Sequence, residues 1–402
     1  MRRRWLAGIF AVSALWAILV VAFTTDHVHQ IWGEMAAVGY GLALVVVLVL
    51  RHTRTVDIAL GLAFLGGLIV PLGWLAAKGL GQPEVWVVAR SGVTLLHNGT
   101  PYANPDVLAG ARDPNSYNPY LPVMALFALP RAFFDLGLLT DPRVLFGVVF
   151  LVIFWLALRE GGARDPIRWV VLVGASPVIA FELAVGGTDV PMVAFLCLGF
   201  AYLWARKPVL AGLALGIGAS MKATAWPALL VAVALLAARE GKRTVGTFAL
   251  TAVGVAAVCI GPFVVNHPKA LVENTIMFPL GLASVQSAAR SPLPGYVIAS
   301  TWPHTGHTVV VALLALAGLA VGASLIFKPP RTVPRAVILL AGAMTLMFVL
   351  APSTRFGYFI YPGALAIWLL AAWSGRKADE DELGKISVGF LPARVPEGPP
   401  GP

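Results

Sequence analysis

Apolar runs of bilayer length recur along almost the whole of this chain, and they restrict its fold more than any other feature. With a window of roughly 19 residues, they fall at 5–23, 35–50, 56–77, 144–158, 168–185, 189–205, 208–221, 224–238, 245–265, 307–327, 335–351 and 357–374. A hydrocarbon core offers no water to backbone N–H and C=O groups, so each crossing segment has to be helical. The expected fold is an all-α polytopic membrane protein of about twelve transmembrane helices. Composition agrees: 12% of the 402 residues are charged, where a soluble chain carries about 25%.

The basic residues set the expected orientation. Arg2, Arg3 and Arg4 precede the first run, and basic clusters recur at alternate loops: Arg51 and Arg54; Arg159, Arg164 and Arg168; Arg206 and Lys207; Arg239, Lys242 and Arg243; Lys328, Arg331 and Arg335; and Arg376 onward. A net charge of +10 distributed in this way is a positive-inside signal and not a nucleic-acid footprint. Both termini are expected in the cytoplasm of a plasma membrane protein, with residues 79–141 and 266–306 outside. No small-residue cleavage site follows the first run, which reads as a retained span. The scheme requires that Leu121–Phe134, interrupted by Pro122 and Pro130, be interfacial or re-entrant. The runs flanking Lys222 are short and read as a hairpin. Cys197 and Cys259 lie within apolar runs, so neither a disulfide framework nor a metal site is expected.

One stretch departs from this pattern. Gly79–Phe134 holds Glu84, Trp86, Tyr102, Tyr117, Tyr120, Arg90, Arg112 and Arg131 between two hydrophobic blocks. A nearly all-membrane chain keeps such an insert where it meets water or a substrate. Glu84 has two readings: an interfacial charge, or a general base whose pKa a dry interface raises. Asp189, in GGTDVP, is either a helix cap alone or a cap that also serves the cavity. Lys222, isolated between apolar runs, costs about 2.5–3.5 kcal/mol at a span centre unless it snorkels or meets a buried anion. Arg355, beside Tyr358 and Tyr361, is an interfacial anchor or a second anion ligand. Glu182 reads as a structural partner for either cation. The pairs His27/His29 and His304/His307 read as solvated loop residues without metal-ligand company. Asn98-Gly99-Thr100 fits a glycosylation sequon, a short and common match.

PEVWVVARSGVTLLHNGTPY followed by YNPYLPVMALFALP resembles the first external loop of polyprenol-phosphate-mannose-dependent mannosyltransferases, glycosyltransferase family 87. GGTDVPMVAFLCLGFAYLWARKPVLAGLALGIGASMKATAWPALL is similar to that family's G-x-x-D…R-x-P-x-x-A-G-x-x-x-G…K-x-x-P segment, and TRFGYFIYP to its late arginine–tyrosine motif. The resemblance covers roughly residues 75–375. It departs where the family has aspartate before V-Y, since here Glu84 precedes Val85-Trp86, and in the runs at 5–50, which look like an addition.

The resemblance implies a GT-C-like bundle, with additional N-terminal helices at 1–55 and a catalytic core at 56–375; the Asp-, Glu-, Lys-, Gly- and Pro-rich composition of 376–402 predicts a disordered cytoplasmic tail. It implies a metal-independent, inverting transfer of a sugar, mannose by resemblance alone, from a polyprenyl-phosphate donor to a lipid or glycan acceptor outside the cell. No cofactor and no nucleic acid enter; membrane lipids are the remaining partners. Glu84 is then the first-choice base and Asp189 the alternative or positioning acid. Lys222 and Arg355 clamp the donor phosphate, while Trp86, Tyr102, Tyr120 and Tyr358 line the sugar or lipid. The rival reading is a transporter or flippase of lipid-linked sugars. Such proteins place polar sites mid-membrane on broken helices of inverted repeats, whereas here the polar residues gather at one expected face.

Overall fold

The computed structural model describes residues 3–302 and 304–389, with side chains as far as Arg376. The described residues are helical with no strand, and one isolated parallel bridge joins Arg290 to Thr354. In chain order the main helices are α1 (Arg3–Phe23), α2 (His27–Val49), α3 (Thr55–Ala77, with a π-helical stretch at Leu65–Ile69), α4 (Pro83–Asn98), α5 (Pro142–Gly161), α6 (Pro166–Gly174) and α7 (Pro177–Val185). They continue with α8 (Val190–Trp204), α9 (Pro208–Ala219), α10 (Trp226–Arg239), α11 (Lys242–Asn266), α12 (Gly306–Phe327), α13 (Val333–Leu350) and α14 (Ile360–Gly389).

Each expected apolar run is helical. Among the described residues, eight helices are long and apolar enough to cross a bilayer, and a ninth crossing results if α6 and α7, bent by 59° at Ala175-Ser176, act as one broken span. The other three, α8, α9 and α10, are shorter. At 1.5 Å per residue the 12 residues of α9 reach about 18 Å, against a hydrocarbon core of about 30 Å. Leu121–Phe134 forms a tight 3₁₀ stretch (Pro122–Ala128) and one α-helical stretch (Leu129–Phe134). The final helix runs to Gly389, past the point where the composition places a disordered tail; Ala, Glu, Leu and Lys in that segment are good helix formers. Residues 390–402 lie outside the described residues.

Among lipids, apolar burial drives little helix association, and close backbone approach takes over. Gly212 and Gly216, four apart on α9, let α11 approach so closely that a Cβ at Gly212 would lie 2.7 Å from the Phe248 carbonyl oxygen. Gly39 of α2 and Gly66 of α3 meet backbone to backbone, leaving no room for a Cβ on either. α8 is apolar all round and buried on nearly every side, as expected of a helix at a bundle centre. In contrast, α11 and α12 present most of their surface outward.

The N-terminal helices are tied into this bundle. Trp32 Nε1 donates to the Gly67 carbonyl at 2.9 Å, and Tyr40 Oη donates to that of Ala175 at 2.6 Å, at the α6–α7 bend.

Candidate functional site

Four chain segments deliver five charged side chains to one place. The first is the start of α4. Gln82 is extended ahead of the helix and Pro83 occupies its first turn, a position that suits proline's fixed φ and missing N–H. Glu84 follows at the positive end of the helix dipole, which favours a carboxylate. The Gln82 N–H donates to the Val185 carbonyl at 2.6 Å, pinning this start to the end of α7.

The second segment is the α7–α8 turn. Gly186 has φ +114°, a conformation that a side chain would strain. Gly187 lies so close to the Glu182 carboxylate that a Cβ would collide with it. Asp189 emerges from this turn 7% exposed. The capping reading does not hold for its side chain, which makes no bond to the backbone of α8. Its Oδ1 accepts from Lys222 Nζ and from Tyr361 Oη, each at 2.5 Å.

Lys222 is the third contribution. It sits in an extended break between α9 and the 3₁₀ turn Ala223–Ala225. The segment that follows Tyr120 is fastened beside it, with the Leu121 N–H donating to Met221 O at 2.9 Å and the Val123 N–H to Ser220 O at 3.2 Å. Tyr120 is thereby set with its ring 5.5 Å from Nζ, and the Tyr358 ring lies at 5.0 Å, within cation–π range. Tyr102 lies one layer back, its Oη donating to the Tyr120 carbonyl at 3.0 Å. Burial pushes the phenols of Tyr102 and Tyr120 above their ordinary range, in Tyr120 against the pull of Lys222. Both therefore stay neutral.

Arg355, the fourth, is extended between α13 and the turn Phe356–Phe359. Its Nη1 pairs with Glu84 Oε1, while Glu84 Oε2 is buried with no hydrogen-bond partner. The backbone around it is held by residues 289–291: Ser291 N–H donates to Thr354 O at 2.9 Å, and Thr354 N–H to Ala289 O at 3.2 Å.

Of the residues singled out from sequence, Glu84, Asp189, Lys222, Arg355, Tyr120 and Tyr358 are brought together, and Tyr102 supports them from behind. Trp86 is not with them. Two residues along a helix turn through about 200°, so its ring faces away from the pairs, toward Arg131 (5.7 Å) and Arg143 (5.8 Å). Glu182 does not take a cation as expected, since both are paired with other acids. It lies against Gly187 and Gly357, within electrostatic reach of Glu84, Asp189, Arg355 and Lys222. His29 is not a solvated loop residue: its Nε2 is 2.6 Å from Gln82 Nε2 and its ring packs edge-on against Phe181. Tyr361, given no role from sequence, holds Asp189. A groove of about 630 Å³ between α1 and α7, lined by Trp5, Trp16 and Val178, contains none of these charged groups.

The profile of glycosyltransferase family 87 matches residues 118–352. The match takes in Tyr120, Glu182, Asp189 and Lys222, and stops short of Glu84 on one side and Arg355 on the other. No curated protein matches the chain. Among solved structures it is similar, at 16% identity, to ArnT from Cupriavidus metallidurans in the apo state, over 77% of this chain and 58% of that one, with a TM-score of 0.47. The same protein bound to undecaprenyl phosphate matches at 16% identity over 84% of this chain and 63% of that one, TM-score 0.48. The chain thus spans less than two thirds of the length of either.

Proposed function

This chain belongs to glycosyltransferase family 87, and from that premise we propose that it transfers a sugar from a polyprenyl-phosphate donor to a lipid or glycan acceptor. The transfer takes place at the extracytoplasmic face of the plasma membrane, with both termini in the cytoplasm. The observation that carries the reading is the convergence of two acid–cation pairs, Glu84–Arg355 and Asp189–Lys222, from distant parts of the chain.

The pairs suggest how a charged donor is received. Each cation is compensated by a carboxylate, which keeps the cost of its partial desolvation in check. A donor phosphate brings its own negative charge and competes with the acids for Arg355 and Lys222. Glu84, half released from Arg355 and with Oε2 already free of hydrogen bonds, becomes the stronger base. The acceptor oxygen attacks the anomeric carbon as its proton passes to Glu84. The bond from that carbon to the phosphate oxygen breaks, and polyprenyl phosphate departs with its charge held by the two cations. One displacement at one carbon inverts its configuration. Asp189, engaged by Lys222 and Tyr361, positions the clamp. Tyr120 and Tyr358 offer ring faces to the sugar.

Mannose is the first sugar to test, on family grounds. Purified protein in liposomes is incubated with labelled polyprenyl-phosphate mannose and glucose and with membrane lipid extract, and the labelled product is identified. Label in a glycosylated product supports the reading. Movement of intact donor across the bilayer without transfer replaces it with a flippase.

A further inference from the structure

Behind the paired acids lies a charged side chain that sequence reasoning passes over. Asp141-Pro142-Arg143 opens α5. Asp141 does cap the helix, accepting from the Arg143 N–H at 2.9 Å. The Arg143 side chain, however, turns back into the protein and is 0% exposed, with Asp141 at 1%. Nε donates to Asp141 Oδ1 at 2.9 Å and Nη2 to Oδ2 at 2.8 Å, a two-pronged pair of the geometry only a guanidinium provides. This leaves Nη1, which donates to two backbone carbonyls: Leu80 at 2.6 Å and Ala184 at 3.1 Å.

Those carbonyls belong to the two segments that deliver the acids. Leu80 precedes Gly81-Gln82-Pro83-Glu84, and Ala184 precedes Val185-Gly186-Gly187-Thr188-Asp189. The segments also touch directly, through the Gln82 N–H on Val185 O. Packing at the junction is tight: a Cβ on Gly81 would stand 3.1 Å from Arg143 Nη1, and one on Gly186 would stand 3.1 Å from Val85.

We propose that Arg143 is a positioning residue, whose guanidinium sets the spacing between the segment carrying Glu84 and the segment carrying Asp189. It touches neither Glu84 nor Asp189; its hydrogen bonds reach their segments through backbone carbonyls, and its guanidinium also lies over the Trp86 ring of α4. Asp141 holds the fork in the one orientation in which Nη1 reaches both carbonyls. A lysine at this place keeps the charge beside Asp141 but gives up the planar fork, so it cannot hold the acid and both carbonyls in the same geometry. The catalytic consequence rests on the transferase reading; the tie itself does not.

The test is Arg143→Lys in the full chain, with Arg143→Met for comparison. Folding is checked by size-exclusion profile and thermal transition. Hydrogen–deuterium exchange is expected to quicken about tenfold in residues 80–86 and 184–189 and to stay unchanged in 211–235. In the transfer assay kcat is expected to fall about 10- to 100-fold, the effect of a displacement on the order of 1 Å, with donor KM nearly unchanged; Arg143→Met falls further. Should the lysine variant not fold, Asp141→Asn loosens the fork while keeping the guanidinium and is read in the same way. Unchanged exchange in both acid-bearing segments overturns the proposal, as does an unchanged kcat per folded molecule. If the wild-type protein transfers sugar from no donor, the transferase reading fails, and exchange alone still decides whether Arg143 ties the segments.

Discussion

Asp189–Lys222 and Glu84–Arg355 are the same kind of bond in two settings. In the first, the side chains of lysine and aspartate are 12% and 9% exposed, while in the second those of arginine and glutamate are 33% and 18% exposed. Asp189 also takes a hydroxyl from Tyr361, itself bonded to Thr224 at 2.7 Å, and Lys222 is bracketed by two aromatic rings. Glu84 has one oxygen engaged and the other idle. The deeper pair is held from several sides, and the outer pair has fewer supports. The same kind of bond is thus fixed more firmly at one depth than at the other.

Four substitutions test that division, from the largest expected effect to the smallest. Glu84→Gln keeps the shape and removes the proposed base, and kcat is expected to fall by about 10² to 10⁴, with expression intact and donor affinity no weaker. Transfer at the wild-type rate would remove Glu84 from the chemistry. Lys222→Met strands Asp189 without its cation, a loss of about 3–5 kcal/mol when a buried pair is broken from one side. A lowered melting temperature together with weaker donor binding is the expected result; normal affinity with only kcat lost would contradict a clamp. Arg355→Met, at the more exposed pair, is expected to change stability by about 1 kcal/mol or less while raising the donor Kd about tenfold, equal to about 1.4 kcal/mol. A stability loss matching that of Lys222→Met would erase the distinction between the pairs. Tyr361→Phe removes one support from Asp189, worth about 1 kcal/mol, and is expected to appear in thermal melts with little change in turnover.

Hydropathy alone makes the long apolar helices legible, because lipid exposure and length are properties of local sequence, whereas the amphipathic helix Pro83–Asn98 falls outside every apolar run. The convergence of Glu84, Asp189, Lys222 and Arg355 is legible at the level of which residues meet. Their pairing is not. Glu182 is as plausible a partner for either cation until the turns at Gly187 and Gly357 show where its carboxylate has room. Asp189 looks like a cap because its neighbours, threonine before and proline two places after, are those of a cap. The direction of its side chain depends on Tyr361, 172 positions away. His29 is hidden for a similar reason: its partner Gln82 lies beyond the whole of α3. Arg143 is the hardest to see, since its acid stands two residues away and its other acceptors are backbone carbonyls, which carry no sequence signature.

The bridge joining Arg290 to Thr354 has a mechanical meaning. It joins residues 289–291 to the residue immediately before Arg355. The more exposed of the two cations is therefore anchored by a segment more than sixty positions earlier in the chain, and a shift of that segment carries the Arg355 backbone with it.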